Sequence, residues 1–190
     1  TVTELFGDLP AIQAGGGVAT PVATHQYNGE YLFQSGIKQN DQEPVTFHQA
    51  RPHTAQDLEI YRMAVDIWNR EHQRLSYTDL PERLRTHRNT SCFLDRFKVV
   101  AGDLPQAQTI VAHIAKDGHY FIHPDINQNR SLTPREAARI QTFPDNYYFE
   151  SVSGAPSRTS AFKQIGNAVP VCLAYSVAEA LWPQFDDEND

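Results

Sequence analysis

Residues 170–182, PVCLAYSVAEALW, limit what this chain can fold into more than any other stretch. Pro170 stands where a helix can open, and Val171, Ala174, Val177, Ala178 and Leu181 then fall on more than one side of that helix. Such a helix wants cover on both faces, which a small free-standing domain does not give its terminal helix. The run is broken by Tyr175, Ser176 and Glu179 and is shorter than the roughly 20 residues that span a bilayer. No signal peptide is visible at Thr1. The expectation is a soluble, cytoplasmic chain whose last helix docks on another protein surface.

With 190 residues the chain can bury one good core or two small ones. Hydrophobic content of 40% and charged content of 21% exclude global disorder. Cys92 and Cys172 lie far apart and form no CxxC pair, which speaks against a disulfide framework and a Cys-rich zinc site. Cys172 sits between Val171 and Leu173, where desolvation would raise its thiol pKa, so it reads as a packing group and not as a nucleophile. Cys92 has Arg88 and Arg96 nearby and is less clearly inert, but nothing assigns it a reaction.

The net charge of -7 at first argues against a polyanionic partner, yet the charge is unevenly spread. Between Arg83 and Arg139 nine Lys or Arg face five acids, and four histidines join them (His87, His113, His119, His123). The flanks, including the tail DDEND, are strongly acidic. A basic middle of this kind can touch phosphates locally without binding polyanions everywhere.

Residues 1–54 read as loop with short strands. The triple glycine 15–17 is followed by no Lys-Ser/Thr, so it reads as a turn and not a phosphate cradle. From Thr54 to about residue 73 the pattern is helical, with Thr54 and Asp57 as a capping box and Leu58, Tyr61, Val65 and Trp68 as an apolar stripe. A short helix is expected after Asp79-Leu80-Pro81, and strands at 97–100, 108–115 and 119–123. Lys116-Asp117-Gly118 is expected to close a hairpin between the last two. In SLTPREAARIQTFP, Thr133 caps a helix, Pro134 opens it, Glu136 completes the capping box, and Pro144 is expected to end it. A further helix over 159–165 is expected to stop at Gly166.

Chemistry is sparse. His113, His119 and His123 alternate along two expected strands, but no HExxH or cysteine partner supports a metal site, and none is assigned. No GxSxG or other nucleophile signature occurs. The residues define no self-contained active site.

LTPREAARIQTFPD (132–145) followed by KQIGNAVP (163–170) resembles the last two signature blocks of the C5-cytosine DNA methyltransferases. TIVAHIAKDGHYFIHPD (109–125) is similar to the end of the variable target-recognition region in bacterial members. DLEIYRMA (57–64) and the opening TVTELFGDLPAI are also similar to members, so the resemblance covers nearly the whole chain. The family's Phe-x-Gly-x-Gly, Pro-Cys-Gln, Glu-Asn-Val and Gln-x-Arg-x-Arg motifs occur nowhere in it.

The resemblance implies an α+β fold: a small mixed target-recognition domain with short antiparallel strands (1–150), then C-terminal helices (151–190) that dock on a Rossmann-like catalytic domain. It implies that this chain contributes no catalytic residue. Methylation at C5 requires the cytosine to leave the stack and a cysteine to attack C6, and that thiolate would come from the catalytic half, in the same chain or a separate subunit. Double-stranded DNA is the implied partner and S-adenosylmethionine the implied cofactor, with Gly166, Asn167, Ala168 and Val169 as one wall of its pocket. Thr109 and Ile110 match the pair that supports the flipped nucleotide's backbone. His113, Lys116, Gly118, His119 and Arg130 are implied near phosphates or bases, although Lys116 reads equally well as an exposed turn tip. Arg135, Glu136 and Arg139 are implied as a structural block holding the recognition region. Val171 departs from a proline common in relatives, and Gln108 from a small or Pro-flanked residue. Two other readings stay open: a stand-alone DNA-binding module, and a metal-dependent hydrolase built on the three histidines.

Overall fold

A computed structural model describes residues 1–89 and 91–186; the last four residues of the acidic tail lie outside them. The architecture is α+β. Strands β1 (Gly17–Val18) and β2 (His48–Gln49) pair antiparallel, Gly17 opposite Gln49 and Val18 opposite His48. The helices are α1 (Tyr31–Gln34), α2 (Ala55–Glu71), α3 (Pro134–Ile140), α4 (Arg158–Asn167), α5 (Val171–Leu181) and α6 (Pro183–Asp186), with short 3₁₀ turns between several of them. No helix among the described residues is long and apolar enough to cross a membrane.

Local sequence rules explain the two best-defined helices. At α2 the Thr54 hydroxyl accepts from Asp57 N–H and the Asp57 carboxylate accepts from Thr54 N–H, so two otherwise orphaned donors are satisfied reciprocally. The helix ends where His72 turns left-handed (φ 53°). At α3, Thr133 and Glu136 make the same box, with Pro134 in the first turn. This helix ends at Gln141, ahead of Pro144, because Thr142 adopts a left-handed conformation (φ 55°).

Among the described residues three apolar clusters form the core: a minor one of Tyr27, Leu32 and Ile37, and two, a larger and a smaller, to which the longer helices contribute. The larger joins Phe6, Phe47, Ile110, Leu132 and Phe149 with Phe162 and Ile165 of α4, so packing continues across the division expected at residue 150. Phe47, Phe149 and Phe162 are fully buried there; truncating such a ring to alanine costs about 3–5 kcal/mol. In the smaller cluster, Ile60, Tyr61, Ala64 and Val65 of α2 cover Leu75, Tyr77, Phe97 and Ile122.

Four expectations are corrected. Residues 108–115 form no strand: Ala112–Ala115 is a 3₁₀ turn whose Ile114 plugs into the larger core. Extended pairing around 97–100 and 119–123 reduces to isolated bridges, Val99 with Ile122 and Ile122 with Ser131. Lys116-Asp117-Gly118 closes no hairpin, because Asp117 Oδ1 accepts from His119 N–H (3.1 Å) and Gly118 O from Phe121 N–H (2.9 Å), coiling the segment locally. Gly118 is needed for close approach, since a Cβ there would lie 2.2 Å from the Ser131 side chain. Finally, α4 runs through Gly166 to Asn167, so Gly166 does not stop it.

Candidate nucleic-acid interface and cofactor wall

α3 is the anchor on which the rest is set. Six of its seven residues are buried, including Arg135, Glu136 and Arg139. Arg139 donates to both oxygens of Asp145 (2.9 and 2.6 Å) and to Asp8, which also accepts from buried Lys38 (2.5 Å). Arg135 donates to Thr46 O (3.0 Å), Thr46 Oγ1 (3.0 Å), Pro144 O (3.0 Å) and Tyr147 O (2.9 Å). Burial pushes its guanidinium down to about 10, with Asp145 opposing the shift. One helical turn thus ties together segments near residues 5–8, 38, 46 and 144–147. Removing one partner of such a buried pair costs about 3–5 kcal/mol, because the other charge is left desolvated.

Arg130 belongs to the same interior, which corrects its expected place at the DNA. It is 1% exposed and grips Glu136 with two parallel bonds (2.8 and 2.7 Å), while its Nε donates to Ile12 O (3.0 Å). Burial pushes the Glu136 carboxyl up, but Arg130 and then His123 outweigh it and hold the group below the usual carboxylate range. His123 is also buried. Its Nδ1 accepts from Asp125 N–H (3.1 Å), and burial lowers its pKa to about 4 despite Glu136 at 3.5 Å. His123 is therefore separated from His113 and His119. Among the described residues no three His, Cys, Asp or Glu side chains gather to hold a metal.

Of the other expected DNA contacts, Ile110 is 4% exposed and fills the larger core, and Gly118 lies buried against Ser131. Thr109, His113 and Lys116 are exposed and His119 is half-buried. His113 and His119 line a cleft of about 530 Å³ whose opposite wall is His87, Asn89, Phe93 and Arg96. That wall is tied together by hydrogen bonds around Asn89 and Arg96. Asn89 Oδ1 accepts from Ser91 N–H (3.1 Å) and Cys92 N–H (3.0 Å), and the Arg96 guanidinium donates to the carbonyls of Phe93 (2.9 Å), Asn89 (2.9 Å) and Cys92 (3.0 Å) while stacking over Tyr77. Phe93 is held at φ 55° with 71% of its surface exposed. Sequence reasoning missed this wall. Its one visible signal is the density of Arg83, Arg85, Arg88, Arg96 and Lys98 against a single acid, Asp95.

Thr109 lies elsewhere, in a cleft of about 580 Å³ shared with Gln108, Gln141, Thr142, Pro170 and Leu173. The four residues of the expected cofactor wall lie close by in the chain. Gly166 faces inward: a Cβ there would be 2.8 Å from Ala112 Cα and Val111 O. Asn167 is exposed, its Nδ2 donating to Lys163 O (2.8 Å); Ala168 is half-buried and Val169 is 60% exposed. An exposed amide beside an exposed apolar side chain suits one wall of a pocket for a ligand that is part polar and part apolar. α5 then leaves this wall with no buried residue. Leu173, Tyr175, Val177 and Trp182 stand 53%, 64%, 50% and 65% exposed, while Cys172 is half-buried near Ser35 O (3.7 Å).

Sequence similarity places the chain in a class. It belongs to the C-5 cytosine-specific DNA methylase family, whose model matches residues 19–182. It is 44% identical to the type II methyltransferase M.Bpa9945I of Bacillus paralicheniformis over 95% of this chain and 40% of that protein. It is 34% identical to the putative type II methyltransferase M.OihORF3336P of Oceanobacillus iheyensis over 65% of this chain and 27% of that protein. It is 38% identical to the type II methyltransferase M.AgeI of Thalassovita gelatinovora over 53% of this chain and 22% of that protein. The chain spans less than half the length of these relatives.

Proposed function

We propose that this chain recognises double-stranded DNA and closes the cofactor pocket of a DNA (cytosine-5-)-methyltransferase, with the nucleophile supplied by a catalytic half outside it. The observation that carries this is α5. An eleven-residue helix with no buried side chain, directly after Asn167 and Val169, is stable in water only when its apolar face is covered. A catalytic half seated on α5 would also bring its own pocket residues against the Asn167–Val169 wall. S-adenosylmethionine, when bound there, supplies the methyl group.

The chain's own residues would then position and exclude. Asn167 offers an amide to the polar part of the cofactor, and Val169 shields its apolar part from water. Thr109, at the cleft it shares with Pro170 and Leu173, supports the backbone of the extruded nucleotide. Lys116 and His113 approach phosphates from the other side of the 3₁₀ turn. The charge clamp around α3 holds these surfaces in fixed relation without touching DNA.

Co-expression with a catalytic half carrying Pro-Cys-Gln tests this, with transfer of labelled methyl groups to cytosine C5 as the assay. Activity is expected from the pair and from neither part alone. An inactive, properly assembled pair, with this chain alone binding a defined DNA sequence, would establish the stand-alone binding module instead.

A further inference from the structure

Within the 530 Å³ cleft one side chain has its hydrogen-bonding direction dictated from the interior. Ser131 N–H is buried and has one acceptor among the described residues, His53 Nε2 (3.3 Å), which also lies 3.0 Å from Ser131 Oγ; the hydroxyl can turn its own proton to Nε2, whereas an Nε2 that donated to Oγ would leave the buried N–H unpaired. A neutral His53 that accepts at Nε2 must carry its proton on Nδ1, which lies 3.4 Å from the Tyr61 hydroxyl. Burial keeps His53 neutral, with a pKa down to about 4, and keeps the fully buried Tyr61 phenol protonated. Tyr61 accepts from His53 and so donates onward to His119 Nδ1 (2.8 Å). His119 in turn must carry its proton on Nε2, which makes no hydrogen bond among the described residues and belongs to a side chain lining the cleft.

The cleft's acceptors, by contrast, are engaged by neighbours, with Asp117 Oδ2 lying 3.6 Å from His113 Nε2. Asn89 Oδ1 accepts from two backbone N–H groups, and Asp117 Oδ1 from His119 N–H. What His119 presents toward the opening is a donor, beside an exposed aromatic ring at Phe93 and next to the most basic stretch of an otherwise acidic chain. In the DNA major groove the guanine edge offers two acceptors and no donor, N7 and O6, and thymine a single acceptor, O4, beside its methyl group, whereas cytosine offers a donor and adenine mixes the two, so guanine is the best match for a lone donor.

We propose that His119 is a specificity-determining residue that reads a guanine through its Nε2–H, its tautomer set by the Ser131–His53–Tyr61 relay. This assignment rests on the DNA-recognition reading above. Its physical advantage is preorganisation. An isolated neutral imidazole populates both tautomers, and the relay removes the one that would present an acceptor to guanine.

Two measurements on the full 190-residue chain test it. Nitrogen-15 imidazole spectra without DNA should show neutral His119 as the Nε2–H tautomer, and Tyr61→Phe should restore a mixture; a dominant Nδ1–H form in the wild type overturns the proposal. Selection from a random duplex pool should give a sequence in which His119→Ala loses about five- to tenfold preference for guanine at one position and keeps the others. Substituting 7-deazaguanine there should mimic the variant. A His119→Ala chain that retains every base preference overturns the assignment while leaving DNA recognition intact. A wild-type chain that selects no sequence overturns the recognition reading and this assignment with it, whatever the tautomer.

Discussion

Replacing Gly166 with alanine separates two accounts of this residue by the sign of the effect. If the glycine served only as a helix residue with room around it, alanine would stabilise the chain by about 0.8–1 kcal/mol through helix propensity. The structure predicts the reverse. The new Cβ would sit 2.8 Å from Ala112 Cα, 2.8 Å from Val111 O and 2.9 Å from Ala112 N, all backbone atoms that no rotamer change can move. α4 would have to back away from the 3₁₀ turn, loosening Phe162 and Ile165 beside Ile114 in the larger core. Overpacking of this kind costs about 1–3 kcal/mol. After the propensity gain the net loss should be about 0–2 kcal/mol, a fall in melting temperature of up to about 8 °C for a chain of this size. Circular dichroism melts of wild type and Gly166→Ala measure this, with Gly166→Ala/Ala112→Gly as a control that should not recover stability because the clash is with backbone. A stabilised Gly166→Ala protein would refute the close approach of α4 to residues 111–112.

Glu136→Gln should cost about 3–5 kcal/mol in urea unfolding, since it leaves Arg130 buried against a neutral amide. Glu136 and Asp8 have folded pKa values below their unfolded ones, so each contributes stability that is present above about pH 4.5 and lost as pH falls through the folded value; Glu136→Gln should flatten that acid limb. The buried His123 is depressed to about 4, so between about pH 6.5 and 4 the unfolded state binds more protons and stability should fall with pH, by on the order of 2–3 kcal/mol, an effect that His123→Asn removes from the pH profile. Val177→Asp on the exposed face of α5 should change unfolding free energy by less than about 0.5 kcal/mol yet abolish methyl transfer in the co-expressed pair.

What could be read from sequence was local. Both capping boxes follow from residues three apart, and both appear as hydrogen-bonded pairs. The uncovered character of α5 follows from its composition alone. What could not be read depends on residues distant in the chain. Tyr61 lies on the apolar stripe of α2 and is buried as that stripe implies, but its hydroxyl partner His119 is 58 residues away, and His53 meets Ser131 across 78. Gly118 and Gly166 look like turn glycines because glycine usually marks positive φ; here Gly118 lets the Ser131 side chain pack against the backbone and Gly166 lets two backbones touch, tertiary facts with no local signature. Residues 108–115 alternate like a strand, but a strand needs a neighbour, and the 3₁₀ turn instead faces α4 and the core.

The same distinction changes how the charge of the chain bears on DNA. Three of the nine cations between Arg83 and Arg139, namely Arg130, Arg135 and Arg139, are buried, as is one of the five acids, Glu136, which leaves six cations against four acids at or near the surface. Of those six, Arg83 pairs with Glu59, Lys98 with Asp95, and Arg96 binds its own loop. Within this stretch only a few cations, Lys116 and Arg88 among them, are left to displace counterions from phosphates. Each phosphate neutralised steepens the dependence of log affinity on log salt by about 0.9 for duplex DNA. On the proposed DNA-recognition reading, two to four such contacts from this stretch would give a shallow slope, and specificity would come from groups placed at base edges, where a single oriented imidazole can decide between bases.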